Sequence, residues 1–152
     1  MALWQFDFYI VPRKRCVIAE DLDNEDILSW KQDEISSIEI SFLERKTSWT
    51  EDIVQYGELD GTCIEFLYED RKLEEISCRF DLRALSKNLL KEILDFVGKI
   101  DGMIFYEGKI YEPKLDEVVE LMKNSKANKF CQNPINFFEE LSECWQSREE
   151  RP

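Results

Sequence analysis

The chain contains no histidine among its 152 residues. This absence excludes Ser–His and Cys–His nucleophile pairs, histidine-ligated zinc and imidazole general-base chemistry. The cysteines are odd in number and no two stand in a C-x-x-C spacing, so we expect reduced, mostly buried thiols and no tightly bound transition metal. The five are Cys16, Cys63, Cys78, Cys131 and Cys144. The composition therefore predicts a protein that is not an enzyme and needs no cofactor.

Glycine and proline are also sparse, at 5 and 4 residues, which leaves little of the chain for flexible linkers. No run approaches the ~18 apolar residues of a membrane span. The first seven residues lack the basic and apolar regions of a signal peptide, so we expect a cytoplasmic protein with no membrane partner. The length fits a single domain, predicted to cover residues 1–146, followed by a frayed tail at 147–152.

The formal net charge is −13, from 33 acidic and 20 basic residues. A field of this sign repels phosphate backbones and anionic lipids, which argues against nucleic acid as a partner. It favours a basic protein or a cation. Acidity also keeps many cytosolic proteins soluble, so the charge alone does not identify a partner.

Hydrophobic periodicity predicts an α+β fold, an antiparallel sheet built from hairpins with helices packed on one face. Apolar residues alternate with charged ones on the expected strands, as in a sheet with one buried face. The hairpins are expected near residues 4–19, 62–82 and 103–112. In the first, Ile10 would face Cys16, and the basic tip Arg13-Lys14-Arg15 would project into solvent.

Period-3.6 patterns and capping residues predict helices near residues 24–30, 86–100, 114–124 and 134–146. Ser86 is the expected cap of the second, and Asn133-Pro134 is the expected start of the last. Residues 33–43 fit either a helix or a strand, and a helix is the preferred interpretation. Residues 44–61 carry weak periodicity and two glycines, which predicts an ordered loop.

Two carboxylates can act as acid and base in a hydrolase, and Glu65 and Asp81 are predicted to share the polar face of the central hairpin. With 33 acidic residues, some pair of this kind arises by chance. A solvated strand face with cross-strand pairs, such as Glu65 with Arg79, explains the pattern better. These acids therefore indicate surface charge rather than catalysis.

An acidic stretch precedes the first predicted helix, at Asp21, Asp23, Glu25 and Asp26. It departs from the calcium-loop pattern, which requires Asx and Gly at the last two of these positions. A helix N-terminus explains the acids better, because they suit the positive end of the helix dipole. In a binding protein, the same stretch would steer a basic partner.

A second candidate surface centres on Arg79, Asp81 and Arg83, which alternate along one strand and therefore share a face. Beside Trp49, Asp52 and Tyr56 they would form a polar, aromatic recognition surface, because Arg, Trp and Tyr are enriched at binding hot spots. A ladder of charges that only orders the preceding loop is the simpler alternative. The predicted partner-binding residues are Asp21, Asp23, Glu25, Asp26, Trp49, Asp52, Tyr56, Arg79, Asp81 and Arg83.

Two parts of the chain resemble small bacterial proteins that are similar to the immunity proteins of polymorphic-toxin systems. The first runs from Trp49 through Tyr56-Gly57, Asp60-Gly61-Thr62 and the sequence ISCRFDLR at 76–83, and the second comprises NSKANKF at 124–130, Asn133-Pro134 and Phe137-Phe138. The resemblance spans residues 49–141 and contains no diagnostic motif. It implies a stoichiometric inhibitor that binds a toxin domain without catalysis.

The leading hypothesis from the sequence is a non-catalytic protein-binding module, an immunity-type inhibitor with a basic protein partner. The alternative is a small enzyme or ligand-binding domain that uses carboxylates and arginine. A third possibility is a subunit of a homo-oligomer that binds no ligand.

Overall fold

The structure is a computed structural model, and it describes residues 3–16, 28–30 and 39–131. Its strands are β1 (Gln5–Pro12), β2 (Arg45–Lys46), β3 (Ile53–Gly57), β4 (Cys63–Glu69), β5 (Lys72–Asp81), β6 (Gly102–Tyr106) and β7 (Lys109–Tyr111). Its helices are α1 (Arg13–Cys16), α2 (Lys87–Lys99), α3 (Leu115–Lys123) and α4 (Lys126–Phe130). None of the helices within these ranges is long and apolar enough to cross a membrane.

The strands form one sheet in the order β2-β3-β4-β5-β1-β6-β7, and every neighbouring pair is antiparallel. The predicted fold class, α+β with an antiparallel sheet, is therefore confirmed. Because β5 and β6 both run antiparallel to β1, they run parallel to each other, and the chain between them must cross one face of the sheet. Helix α2 makes this crossing. We call the face that it covers the core face, and the opposite one the outer face.

The core lies between the sheet and helices α2, α3 and α4. Helix α2 begins at the predicted cap, where the Ser86 hydroxyl accepts a hydrogen bond from the Leu89 amide at 3.1 Å. It buries one apolar stripe, which comprises Leu90, Ile93, Leu94, Phe96 and Val97. From the sheet, Phe6, Phe8 and Phe80 meet this stripe in a cluster of aromatic rings with centroids 5.0–6.2 Å apart. Burial of this core is the main stabilising term of the fold.

Two of the predicted hairpins are confirmed. In the central one, Ile64 of β4 lies opposite Cys78 of β5, and the turn at its tip has a positive φ at both central residues. The hairpin of β6 and β7 turns through Glu107 and Gly108, with φ of 48° and 79°, the left-handed pair that the twist of a two-residue hairpin requires. Both are local pairings, which a period-two pattern with a turn signal specifies well.

The first predicted hairpin is wrong. Strand β1 pairs with β5 and β6, and helix α1 stands where the return strand was expected to begin. The remaining residues of that predicted strand, 17–19, lie outside the described residues. Strand β5 pairs with residues 5–10 of β1 and strand β6 pairs with residues 9–12 on its other edge, so two distant segments supply hydrogen-bond partners that a single local hairpin would not.

Arg13 is not a free basic tip as predicted, because its side chain, although 40 % exposed, is paired with two acids. Its two terminal nitrogens donate to the two carboxylate oxygens of Glu112 at 2.8 Å each, and its Nε donates to Asp101 at 3.1 Å. Such a two-pronged pair combines charge with fixed geometry. Arg13 thereby ties the end of β1 to the segments on both sides of the β6–β7 hairpin.

Residues 44–61 contain strands, so the prediction of a loop there is wrong. Strand β3 pairs with β4 over its whole length, and β2 adds a short edge strand beside it. The weak periodicity has a physical reason: Ile53 and Val54 are both apolar although they point to opposite faces of the sheet. Residues 39–43 form neither helix nor strand, and most of the ambiguous stretch 33–43 lies outside the described residues.

Helices α2 and α3 lie where the sequence predicts them. Helix α4 was not predicted, and its start is fixed by Ser125, whose hydroxyl accepts from the Asn128 amide at 3.2 Å. The predicted helix at 134–146 lies outside the described residues, as do most of the helix at 24–30 and the domain boundary at 146. Three residues of that early segment are described, and among them Trp30 is buried, with its indole nitrogen donating to the Ile10 carbonyl at 2.8 Å.

Candidate functional site

The turn between β3 and β4, residues 58–62, is held by side chains from the start of β1. The indole nitrogen of Trp4 donates to the Asp60 carbonyl at 2.8 Å. The amide nitrogen of the buried Gln5 donates to the carbonyls of Leu59 and Gly61, at 2.8 and 2.7 Å. Three consecutive carbonyls of the turn thus receive fixed donors, which orders its backbone.

The same turn is held from β5 by the Asp81–Arg83 pair. Arg83 donates from Nε and Nη2 to the two carboxylate oxygens of Asp81 at 3.0 Å each, and its backbone amide donates to the same carboxylate at 2.9 Å. The guanidinium lies 3.9 Å from the centroid of the Trp4 ring and donates to the Asp60 carbonyl at 3.2 Å. A cation over an indole face is favourable. Arg83 therefore completes a clamp on the 58–62 turn.

Arg79 joins this arrangement and confirms a predicted pair. Its Nη2 lies 3.1 Å from the Glu65 carboxylate, across the hairpin from β5 to β4. Its Nη1 lies 3.4 Å from the Leu59 carbonyl. The Arg79, Asp81 and Arg83 side chains therefore order the preceding turn, which is the simpler of the two roles that the sequence allowed for them.

The clamped turn presents an apolar side chain beside an exposed tryptophan. Trp49 is 81 % exposed and Leu59 is 44 % exposed, although both are large hydrophobic residues. They line one concavity of about 600 Å³, together with Lys46, Thr47, Ser48, Gln55, Glu58 and Asp60. We call this surface the Trp49 patch. Among its lining residues in the described part of the chain, the one cation is Lys46, which lies 3.1 Å from the carboxylates of Glu44 and Glu58.

The remaining predicted partner-binding residues are dispersed. Tyr56 lies in the core, 5 % exposed, with its ring edge-to-face against Phe66 at 5.9 Å, so it is not part of an exposed surface. Asp52 is exposed in the turn before β3, and its carbonyl accepts from the Tyr68 amide at 2.7 Å. The acidic stretch, Asp21, Asp23, Glu25 and Asp26, lies outside the described residues. Within the described part of the predicted set, Trp49 is a large hydrophobic side chain that the fold leaves 81 % exposed.

A second concavity, of about 320 Å³, lies at the centre of the outer face. Its position follows from register: Ser77 of β5 is flanked by Tyr9 of β1 and Glu65 of β4, and these partners are much larger than serine. A small side chain between large ones leaves a hollow. We call it the Ser77 cavity. It is lined by Asp7, Phe8, Tyr9, Ile53, Glu65, Leu67, Glu75, Ser77, Cys78, Arg79 and Phe105.

Two carboxyl groups that line the Ser77 cavity, those of Asp7 and Glu75, have raised pKa values. Burial raises the pKa of Asp7 despite the opposing charges of Arg79 and of the chain's N-terminus. Burial, reinforced by the neighbouring Glu74, also raises the pKa of Glu75. Oδ1 of Asp7 is buried without a hydrogen-bond partner among the described residues. The folded state therefore holds two carboxylates here less favourably than water does.

We expect Asp7→Asn to stabilise the protein at pH 7 by about 1 kcal/mol, because the neutral isostere removes a poorly solvated charge. A carboxyl group whose pKa is raised by folding favours the folded state at low pH and loses that contribution as pH rises through its folded pKa. The gain should therefore shrink as the pH falls towards the ordinary value of 3.8. Urea unfolding of both proteins between pH 4 and pH 7 measures the difference.

The matched control is Asp95→Asn, which removes an exposed carboxylate from helix α2. A surface change of this kind should alter the free energy of unfolding by no more than about 0.5 kcal/mol at any of these pH values. Destabilisation by Asp7→Asn at pH 7 would show that Asp7 is held by a favourable interaction with Arg79 rather than penalised by burial.

The groups that suggested hydrolysis are engaged in pairs. Glu65 accepts from Arg79 and Asp81 accepts from Arg83, so neither acid stands free beside the other. Cys63 is buried next to Glu65, and burial raises the pKa of its thiol to about 12, which keeps it protonated at neutral pH. Cys63, Cys78 and Cys131 are free, buried thiols, whereas nothing is described for the side chains of the other two cysteines.

Sequence reasoning missed Leu59 and the Ser77 cavity. The sequence did contain a signal for the cavity. In β1, the polar residues Gln5, Asp7 and Tyr9 alternate with two buried phenylalanines. In a central strand, that pattern places charge where two neighbouring strands can also contribute charge. Comparisons of the chain with protein-family models, curated proteins and solved structures found no match.

Proposed function

We propose that this chain is a non-catalytic protein-binding module that docks a basic protein partner through the Trp49 patch, as an immunity-type inhibitor docks a toxin domain. The observation that carries the proposal is the 81 % exposure of Trp49 beside an ordered turn. A large aromatic side chain that is left in water costs free energy unless a partner covers it. Tryptophan is also the residue type most enriched at the centre of binding hot spots.

The order of the neighbouring turn supports the same role. Three hydrogen bonds from Trp4 and Gln5, together with the Asp81–Arg83 pair, hold the backbone that presents Leu59. A surface that is already ordered loses little conformational entropy on binding, which favours affinity. The clamp residues therefore contribute by positioning the patch rather than by touching the partner.

Charge supplies the chemistry of the partner. Residues 44–60, which carry most of the patch, contain five acidic residues and two basic ones, in a chain of net charge −13. One of the two basic residues, Lys46, is already paired with acids. An acidic rim around an aromatic centre attracts a basic surface and raises its association rate.

The test begins with capture of partners from a lysate of the source organism on the immobilised protein, followed by identification by mass spectrometry. Association and dissociation rates are then measured with the purified partner. We expect a basic partner whose association slows as salt rises, because a Debye length of about 10 Å at 0.1 M salt screens exposed charges. We expect Trp49→Ala to raise the dissociation rate about tenfold or more.

Leu3→Ala is the matched control, because Leu3 is also exposed, at 69 %, but does not line the patch. It should leave both rates unchanged. Binding that is equally strong in the Trp49→Ala protein would remove the patch from the interface. A partner that is itself acidic, with association independent of salt, would remove the electrostatic part of the proposal.

The Ser77 cavity favours a second candidate, the small ligand-binding domain based on carboxylates and arginine. Its volume of about 320 Å³ lies at the lower end of the range for small-molecule sites, about 300–1,000 Å³. This candidate becomes the better one if no protein partner depends on Trp49.

A further inference from the structure

The Ser77 cavity combines apolar walls with an excess of negative charge. Its hydrocarbon surface comes from Ile53 and Leu67 on one side and Phe105 on the other. Its charged groups comprise three carboxylates and one guanidinium, from Asp7, Glu65, Glu75 and Arg79. A ligand that fits must therefore carry an apolar part and positive charge.

The guanidinium does not neutralise the cavity. Arg79 is already bound to the Glu65 carboxylate at 3.1 Å, so these two charges offset each other. Asp7 and Glu75 add two further carboxyl groups, and burial raises the pKa of both, although the charges of Arg79 and of the chain's N-terminus oppose the rise at Asp7. A bound cation would reverse that penalty, because an opposite charge within a few ångströms favours the ionised carboxylate.

The arrangement suits an organic cation better than a metal ion. Within residues 3–16, 28–30 and 39–131, no three Cys, Asp or Glu side chains converge closely enough to hold a metal. Divalent metals need several oxygen ligands at about 2.0–2.6 Å, whereas an ammonium or guanidinium group can reach separated carboxylates through separate N–H donors.

We infer that the Ser77 cavity binds an alkylammonium or alkylguanidinium group, with the cation at the carboxylates of the cavity and the hydrocarbon stem against its apolar wall. Two sources carry this chemistry: a free small amine, or the lysine or arginine side chain of a protein. The inference goes beyond the Trp49 patch and is tested independently of it. The cavity and the patch share no lining residue, although each includes one residue of β3.

The test is an NMR titration of the full chain with butylguanidinium, compared with butylurea. The two probes have the same shape and about eight non-hydrogen atoms, for which millimolar affinity is the expected scale. They differ in charge. We expect butylguanidinium to bind about tenfold more tightly than butylurea and to shift the amide signals of β1 and β5 around Ser77. Equal affinity of the two probes would overturn the inference.

Two variants tie the binding to the cavity. Glu75→Gln should weaken butylguanidinium binding about tenfold, whereas Glu92→Gln, a matched change on the exposed face of helix α2, should not alter it. Ser77→Leu should abolish binding by filling the hollow. Its fold is checked from its amide spectrum, and Glu75→Gln decides the question if it fails to fold. Binding that survives both substitutions would show general attraction to an acidic surface and would overturn the proposed site.

A second arm separates the two sources of the cation. The peptide acetyl-Gly-Arg-Gly-amide carries the same guanidinium on a backbone. If it binds as tightly as butylguanidinium and shifts the same signals, the cavity accepts a protein side chain. If butylguanidinium binds and the peptide does not, the cavity takes a free small cation. If neither probe binds, the inference is contradicted. That result would not bear on the Trp49 patch, which is tested separately by partner capture and binding kinetics.

Discussion

Replacing Gly57 with alanine is expected to lower the free energy of unfolding by about 3 kcal/mol or more. Gly57 has φ of +87°, a left-handed conformation that costs about 1–2 kcal/mol for a residue with a Cβ atom. An added Cβ would also lie 2.1 Å from the Thr62 carbonyl oxygen, which is backbone and cannot rotate away. The 58–62 turn would have to open, and the hydrogen bonds from Gln5 would be strained with it.

Gly108→Ala is the control that separates the two causes. Gly108 also has a positive φ, of 79°, but an added Cβ would meet nothing within 4 Å. Its substitution should therefore cost only the conformational term, about 1 kcal/mol. Urea unfolding measures both, and in a chain of this length about 3 kcal/mol corresponds to a drop of roughly 6–12 °C in Tm. Equal losses for the two variants would show that the turn tolerates the added methyl group.

The second large effect is expected from Asp81→Ala, which should lower the free energy of unfolding by about 2 kcal/mol. Asp81 is 6 % exposed, and its carboxylate accepts from the backbone amide and the side chain of Arg83. Alanine leaves that amide without its acceptor and releases the guanidinium from its place over Trp4. Because hydrogen bonds to a charged group contribute about 1.5–3 kcal/mol, the loss should exceed that of an ordinary surface change.

Asp60→Ala is the matched control for Asp81. Asp60 lies in the same turn, and the clamp uses its carbonyl oxygen, which alanine retains. Its substitution should change the free energy of unfolding by about 0.5 kcal/mol or less. Hydrogen exchange at residues 58–62 gives a second measurement. The exchange rates of these amides should rise in Asp81→Ala and stay unchanged in Asp60→Ala. A loss in Asp81→Ala no larger than that in Asp60→Ala would remove Asp81 from the clamp.

The elements predicted from the sequence are those whose contacts are local. The central hairpin, the β6–β7 hairpin and helices α2 and α3 each carry their own period, cap or turn signal within about 20 residues. Ser86 and Gly108 are examples, because each satisfies a requirement of the chain directly beside it. Local signals of this kind are present before any tertiary contact forms.

The errors fall where distant segments decide the outcome. Strand β1 finds its partners in β5 and β6, and Arg13 finds Asp101 and Glu112, all more than 60 residues away along the chain. Strand β3 was missed because both of its faces are partly apolar. Tyr56 was placed on the surface because its residue type suits an interface, whereas its position in the register points it into the core.

The sequence by itself determined the class of this protein: its charge, its lack of histidine chemistry, and an α+β fold with an antiparallel sheet. It also indicated Trp49 and the pairing of Glu65 with Arg79. Only the tertiary structure decided which polar residues meet, because strand order brings β1 between β5 and β6 and so places Asp7 beside Arg79. The Ser77 cavity depends on this order, since it is built from side chains of strands that are distant in sequence and adjacent in the sheet. The lining of the Trp49 patch is local, within residues 46–60, and the order acts there through Trp4 and Gln5, which hold the 58–62 turn.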